Sequence, residues 1–164
     1  MNIIFEKMGL EHQEEIMRIF NFYIENGTAA FPGDKLPEQF YPMLLKRAEG
    51  YPSYTIKDMD DNCVVGFCQL SPYSPFSTFK STACISYFID AKYTGKKIGE
   101  KCLLKLEEDA SQMGITTIIT EISSENHGSI DFHKKHGFYV AGELKNIGMK
   151  FDRKFGVLYM QKDI

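Results

Sequence analysis

"ACISYFIDAKYTGKKIGEKCLLKLEEDASQMGITTIITEI", residues 83–122, decides the fold. The β-branched and aromatic run at its start and the "TTIITEI" at its end read as strands. Between them Ile98, Cys102, Leu106 and Ala110 recur every four residues, so a helix begins near Gly99 and closes at Gly114. A strand, helix, strand unit implies two parallel strands joined by a right-handed crossover. The helix carries its charges in an unfavourable order. Lys92, Lys96, Lys97 and Lys101 crowd its start, while Glu107, Glu108 and Asp109 collect towards its end. Against the helix dipole this costs a few tenths to about 1 kcal/mol per charge. A diphosphate held on the exposed amides of the turn, approached closely at Gly95 and Gly99, would offset that repulsion. Lysines that merely extend into water, where salt screens them, would lower it too. Neither GxxxxGK[ST] nor GxGxxG is present. The residues point to a phosphate-bearing ligand at a strand–loop–helix junction, or to a solvated lysine cluster.

Outward from this unit the chain reads as alternating elements. "NIIFEKM" is a strand, and "EHQEEIMRIFNFYIEN" is a helix with Ile16, Ile19, Phe20 and Tyr23 on one face. "PEQFYPMLLKRAEG" is a second helix, with Pro37 in its first turn, Gly50 at its end, and Pro42 threatening to split off the first turn. "SYTIKDMDDNCVVGFCQL" is a hairpin, and "SPYSPFSTFKS" a loop. After the central unit, "SSENHGSIDFHKKHGF" is a short helix, and "YVAGEL" and "FGVLYMQKD" are the last strands. The order β-α-α-β-β-β-α-β-α-β-β mixes antiparallel hairpins with one parallel pair, an α/β sheet with helices on its faces.

With 164 residues, 43% hydrophobic and 25% charged, the chain is expected to fold as one domain spanning residues 1–164. A net charge of -3 gives no reason to expect nucleic acid or an anionic membrane as partner. Cys63, Cys68, Cys84 and Cys102 form no CxxC pair and no zinc spacing, so free thiols in a reducing compartment are expected. The N-terminus lacks an apolar signal core, and no run approaches about 18 apolar residues. A cytoplasmic protein is the expectation.

"YTGKKIG" resembles the pyrophosphate-binding segment of GNAT-superfamily N-acetyltransferases, Gln/Arg-x-x-Gly-x-Gly/Ala, laid over residues 94–99. Thr94 replaces the Gln or Arg, and Lys97 replaces the first motif glycine. "RIFNFYIENGTAAF", "YPSYTIKDMDDNCVVGFCQLSPY" and "SENHGSIDFHKKHGF" are similar to the matching segments of the phosphinothricin N-acetyltransferase-like branch, in the same order across residues 3–162.

The resemblance implies a mixed, mostly antiparallel central sheet in which one parallel strand pair splays to admit acetyl-CoA. It implies that backbone groups of Tyr87, Phe88 and Ile89 pair with the pantetheine arm. Thr94, Gly95, Lys96, Lys97, Ile98 and Gly99 would wrap the diphosphate. Asn126 matches the cofactor-side asparagine, although a plain helix cap reads equally from the sequence, and Ser129 opens the next helix. The implied reaction is direct acetyl transfer to the primary amine of a small amino-acid-like substrate, with no metal and no covalent intermediate.

The branch usually carries a Glu where this chain has Cys84, and a thiol is a poor carboxylate substitute, so Cys84 reads as a core residue. Glu121, at the end of the next strand, is the substitute base by proximity alone, with solvent as the alternative. His133 stands where the superfamily often protonates the departing thiolate; packing beside Phe132 and Phe138 is the alternative. Phe31 and Tyr73 are expected on the apolar walls of the acceptor pocket, and His12, His127 and His136 at the surface. Dimerisation is usual in the branch. A non-catalytic acyl-CoA binding module and a protein N-terminal or lysine acetyltransferase are the competing readings.

Overall fold

The computed structural model describes residues 1–164. Its elements follow the expected order: β1 (Ile3–Lys7), α1 (Gln13–Glu25), α2 (Tyr41–Arg47), β2 (Ser53–Asp58), β3 (Cys63–Pro72), β4 (Thr82–Ile89), α3 (Ile98–Gln112), β5 (Thr117–Ser123), α4 (His127–Lys135), β6 (Tyr139–Lys150) and β7 (Arg153–Asp163). All seven strands join one sheet in the order β1-β2-β3-β4-β5-β7-β6. Every neighbouring pair is antiparallel except β4 with β5. No helix is long and apolar enough to cross a membrane.

The parallel pair sets the site. β4 and β5 match only at Thr82 with Thr117, Ala83 with Ile118 and Cys84 with Ile119. Beyond that point Ile85–Ile89 and Thr120–Ser123 continue without pairing to one another. β4 stays paired with β3 from Ala83 to Ile89, and β5 with β7 along its whole length, so the sheet opens like a V without losing either strand.

Two cores hold the V. Ile98, Cys102, Leu103, Leu106 and Ala110 of α3 pack on Ile85, Ile118 and Ile122 of the sheet. Ile16, Met17, Phe20 and Ile24 of α1 pack with Tyr41 and Leu44 of α2 over Phe67 on the opposite face. Each fully buried Leu, Ile or Phe contributes about 1.5–3 kcal/mol relative to exposure. β3 is buried on both faces, which accounts for its near-continuous apolar run in "CVVGFCQL".

Pro42 falls in the first turn of α2, and a short 3-10 turn at Glu38–Phe40 precedes it, so the expected split of this helix occurs. One sequence expectation fails here. His12 is buried, with its Nδ1 accepting from the Gly9 N–H at 3.1 Å. The last two strands form as expected and are longer than their sequence signals, since β6 runs past "YVAGEL" to Lys150 and turns back at Phe151–Asp152. Both turn residues have positive φ, 52° and 56°, the twist that a two-residue hairpin loop requires. Neither is glycine, so the usual sequence signal of that turn is missing.

Candidate functional site

The V between β4 and β5 separates two cavities that meet at its throat. One, about 400 Å³, lies towards α3 and α4 and is bordered by Tyr87, Phe88, Ile89, Thr94, Gly99, Asn126, Ser129 and His133. The other, about 490 Å³, lies under α1 and α2. Ala29, Ile85, Ser86, Phe88, Thr120 and Glu121 border both, so a passage runs through the sheet where pairing ceases.

The α3 end of the first cavity is suited to an anion. Gly95 and Lys97 adopt positive φ, 75° and 63°, which turns the loop sharply into the helix. No side chain caps α3, so the first-turn N–H groups at Ile98, Gly99 and Glu100 lack intrahelical acceptors. Lys96 and Lys97 are exposed and join no ion pair. Lys96 Nζ lies 4.6 Å from the Tyr93 ring centroid, and Asp61 and Cys63 anchor the Tyr93 hydroxyl at 3.1 and 3.2 Å. The Ile98 side chain is core, so only its backbone can face a ligand. α4 differs in being capped: Asn126 accepts from the Ser129 N–H at 3.2 Å, which makes the capping role real.

His133 is buried and fully partnered. Its Nδ1–H donates to the Ser129 carbonyl at 2.7 Å, so its Nε2 accepts from the Tyr87 hydroxyl. The two rings stack with centroids 5.6 Å apart. Burial lowers the His133 pKa from 6.5 to about 4, and burial also pushes the Tyr87 hydroxyl well up. The pair is therefore neutral at pH 7 and shares one hydroxyl proton. A histidine that is neutral when folded but protonates when unfolded makes stability depend on pH. That contribution is complete above about pH 6.5 and is lost as pH falls towards about 4, a change of about 3 kcal/mol. Denaturant unfolding of the wild type and of His133→Gln at pH 7.5 and pH 4.5 should show the variant losing less stability over that interval; equal losses would refute it.

The second cavity has apolar walls from Phe20, Phe31, Phe40, Met43, Leu44 and Phe67. Phe31 is half-exposed and stacks on Phe155, centroids 6.2 Å apart. Tyr73 packs edge-on against Phe79 at 5.4 Å and does not border either cavity. Cys84 is only half-buried and borders the second cavity, which corrects its reading as core. Register explains this: β4 alternates, so Ala83, Ile85 and Tyr87 face α3 and α4 while Cys84, Ser86 and Phe88 face α1 and α2. Burial, then the Glu121 charge, raises the Cys84 thiol against the opposing pull of Arg47. It stays a thiol at neutral pH. Glu121 sits exposed at the throat.

Sequence reasoning missed several residues here. Gln69 is buried with its Oε1 unpartnered, and its only signal was a lone polar group in an apolar strand. Lys150 donates to the carbonyls of Gly27 and Ala30 at 2.7 and 3.1 Å, holding the loop that carries Ala29. Thr28 and Ser123 tie the same loop to β5 through their hydroxyls at 2.6 Å. These contacts span about a hundred residues of sequence, and no local pattern announces them.

Residues 16–138 match the sequence model of the acetyltransferase (GNAT) family. The L-methionine sulfoximine/L-methionine sulfone acetyltransferase of Pseudomonas aeruginosa is 28% identical over 159 residues, covering 95% of this chain and 91% of the relative. The L-amino acid N-acyltransferase MnaT of Escherichia coli is 28% identical over 135 residues, covering 82% and 78%. The crystal structure of a phosphinothricin acetyltransferase from Sinorhizobium meliloti in complex with AcCoA superposes with a TM-score of 0.92 at 22% identity, over 100% of this chain and 89% of that one.

Proposed function

The chain belongs to the GNAT acetyltransferase family, and from that premise we propose that it moves the acetyl group of acetyl-CoA to the primary amine of a small amino-acid-like acceptor. One observation carries the reading: two cavities of different character meet where β4 and β5 part. Acetyl-CoA would occupy the α3 side, with the amides of residues 95–99 and the Lys96 and Lys97 charges at its diphosphate. The backbone of Tyr87, Phe88 and Ile89, on the edge of β4 that β5 leaves open and with the Ile89 carbonyl already accepting from the Tyr23 hydroxyl, would meet the pantetheine arm, alongside Thr94, Asn126 and Ser129. The thioester then reaches the throat, and the amine approaches from the second cavity past Phe31.

An ammonium cannot attack a carbonyl, so one proton must leave first. Glu121, at the throat, is the acceptor of that proton. A backbone N–H of β4 beyond Cys84 stabilises the oxyanion, and the Tyr87–His133 pair gives its hydroxyl proton to the departing thiolate and regains one from solvent. Tyr73 has no part in this scheme, since it packs on Phe79. The reaction proceeds within one domain, residues 1–164. A homodimer is supported by the outer edge of β6, which is unpaired and exposes Tyr139, Val140, Leu144, Ile147 and Met149. Free thiols at Cys63 and Cys84 support a cytoplasmic setting.

A protonated Cys84 in place of a carboxylate favours a second reading, an acyl-CoA binding module without turnover. Incubation with acetyl-CoA and a panel of amino acids, their analogues and polyamines separates the two. Acetyl transfer predicts free CoA thiol that appears only with an acceptor, whereas binding without thiol release would establish the second reading.

A further inference from the structure

We propose that Arg47, the last residue of α2, selects the acceptor by binding its carboxylate, so that free α-amino acids with apolar side chains are taken in preference to simple amines. The inference rests on the acetyl-transfer reading above and adds which residue reads the substrate. Arg47 is the one cation bordering the second cavity, and Glu121 the one anion. Neither joins an ion pair within the protein, so each presents an uncompensated charge. A cation at a helix C-terminus is favourable by itself, which accounts for the charge of Arg47 but not for its place on this cavity.

Cys84 borders the cavity together with the two charged groups. Burial and then the Glu121 charge raise its thiol while the Arg47 charge lowers it, as expected of a group that borders the same cavity as both. Gln69 borders that cavity too, opposite Ser86 in the strand register, with its buried Oε1 unpartnered. A zwitterion answers the two charges at once. Its ammonium meets Glu121 at the throat, where acetyl transfer would occur, and its carboxylate meets the planar fork of Arg47. Apart from Cys84, Ser86 and Thr120, the remaining walls are aromatic or aliphatic, which suits an uncharged side chain.

The test compares each of several apolar L-amino acids with its amide and its decarboxylated amine, following CoA thiol release by the wild type, Arg47→Gln and Arg47→Lys. The amide's amine is the less basic, so more of it is neutral at pH 8, and a preference for the acid cannot come from amine ionisation. The wild type should favour the acids at least thirtyfold in kcat/KM. Arg47→Gln should lose that factor on the acids, mainly through KM, while its rates on amides and amines stay within threefold; Arg47→Lys should retain part of the preference. Calorimetric acetyl-CoA affinity should be equal in all three proteins, which separates a selectivity effect from misfolding. A wild type that accepts amides as well as acids, or an Arg47→Gln variant depressed equally on all three classes, would overturn the inference alone. No thiol release with any acceptor, at intact acetyl-CoA affinity, would overturn the acetyl-transfer reading and this inference with it.

Discussion

Gly99→Asp is expected to weaken acetyl-CoA binding by about a hundredfold while leaving the fold as stable as before or more so. The two effects separate because one carboxylate meets two different fields. For the empty protein, an acidic side chain in the first turn of α3 faces the positive end of the helix dipole, worth about 0.3–1 kcal/mol in its favour. Replacing glycine in the first turn also removes part of its backbone-entropy penalty, about a few tenths of a kcal/mol for aspartate. Space is available: a Cβ at Gly99 would lie 3.7 Å from the Phe132 ring, an ordinary contact. With ligand bound, the same carboxylate confronts a diphosphate on the neighbouring amides. Two like charges about 5 Å apart at an effective dielectric near 20 repel by about 3 kcal/mol, or roughly a hundredfold in affinity. Titration calorimetry with acetyl-CoA and thermal unfolding of the unliganded protein read the two quantities independently. Gly99→Ala is the control, since it adds the Cβ without the charge and should stay within a few-fold of wild type. Unchanged affinity in Gly99→Asp would remove the diphosphate from this turn. Loss in both variants would assign the effect to shape. Single replacements of Lys96 or Lys97 by glutamine should cost much less, because both ammonium groups are exposed and screened.

The elements of this chain were legible in the sequence because their signals are local. The four-residue recurrence of Ile98, Cys102, Leu106 and Ala110 specifies α3, and all four are buried as that spacing requires. Asp60, Asp61 and Asn62 turn β2 into β3 as their chemistry suggests, with Asn62 in the left-handed region. The β6–β7 turn escaped because Phe151 and Asp152 adopt positive φ without the glycine that normally marks it. His12 escaped because a flanking run of charge outweighed one buried imidazole. The site was legible in part. Gly95, Gly99 and the lysines marked the turn into α3 through local charge order, but where Cys84 faces depended on sheet register. Arg47 and Gln69 reach the second cavity, and Lys150 holds the loop beside it, through packing between elements far apart in sequence, and an exposed arginine at the end of a helix carries no mark of its neighbours. The parting of β4 from β5 is likewise invisible in β-propensity, since both strands keep their other partners.

Glu121→Gln should lower turnover about a hundredfold at neutral pH with acetyl-CoA affinity unchanged. The amide keeps the size of the carboxylate and its place at the throat but cannot accept the ammonium proton, and loss of a positioned base typically costs 10²–10⁴ in rate. The sign of the pH dependence distinguishes this role from others. As pH rises, more of the acceptor amine is neutral in solution, so the missing base matters less. The ratio of wild-type to variant turnover should therefore shrink steadily towards alkaline pH. Were Glu121 only an electrostatic anchor for the ammonium, the loss would appear in acceptor KM, and the ratio of kcat values would stay flat with pH. Cys84 provides a second readout that does not depend on catalysis. The Glu121 charge helps hold its thiol up while Arg47 pulls it down, so neutralising Glu121 should lower the thiol pKa and speed alkylation by iodoacetamide at a fixed pH. Faster alkylation together with unchanged turnover would place Glu121 beside Cys84 and still deny it the role of base, leaving solvent to deprotonate the amine.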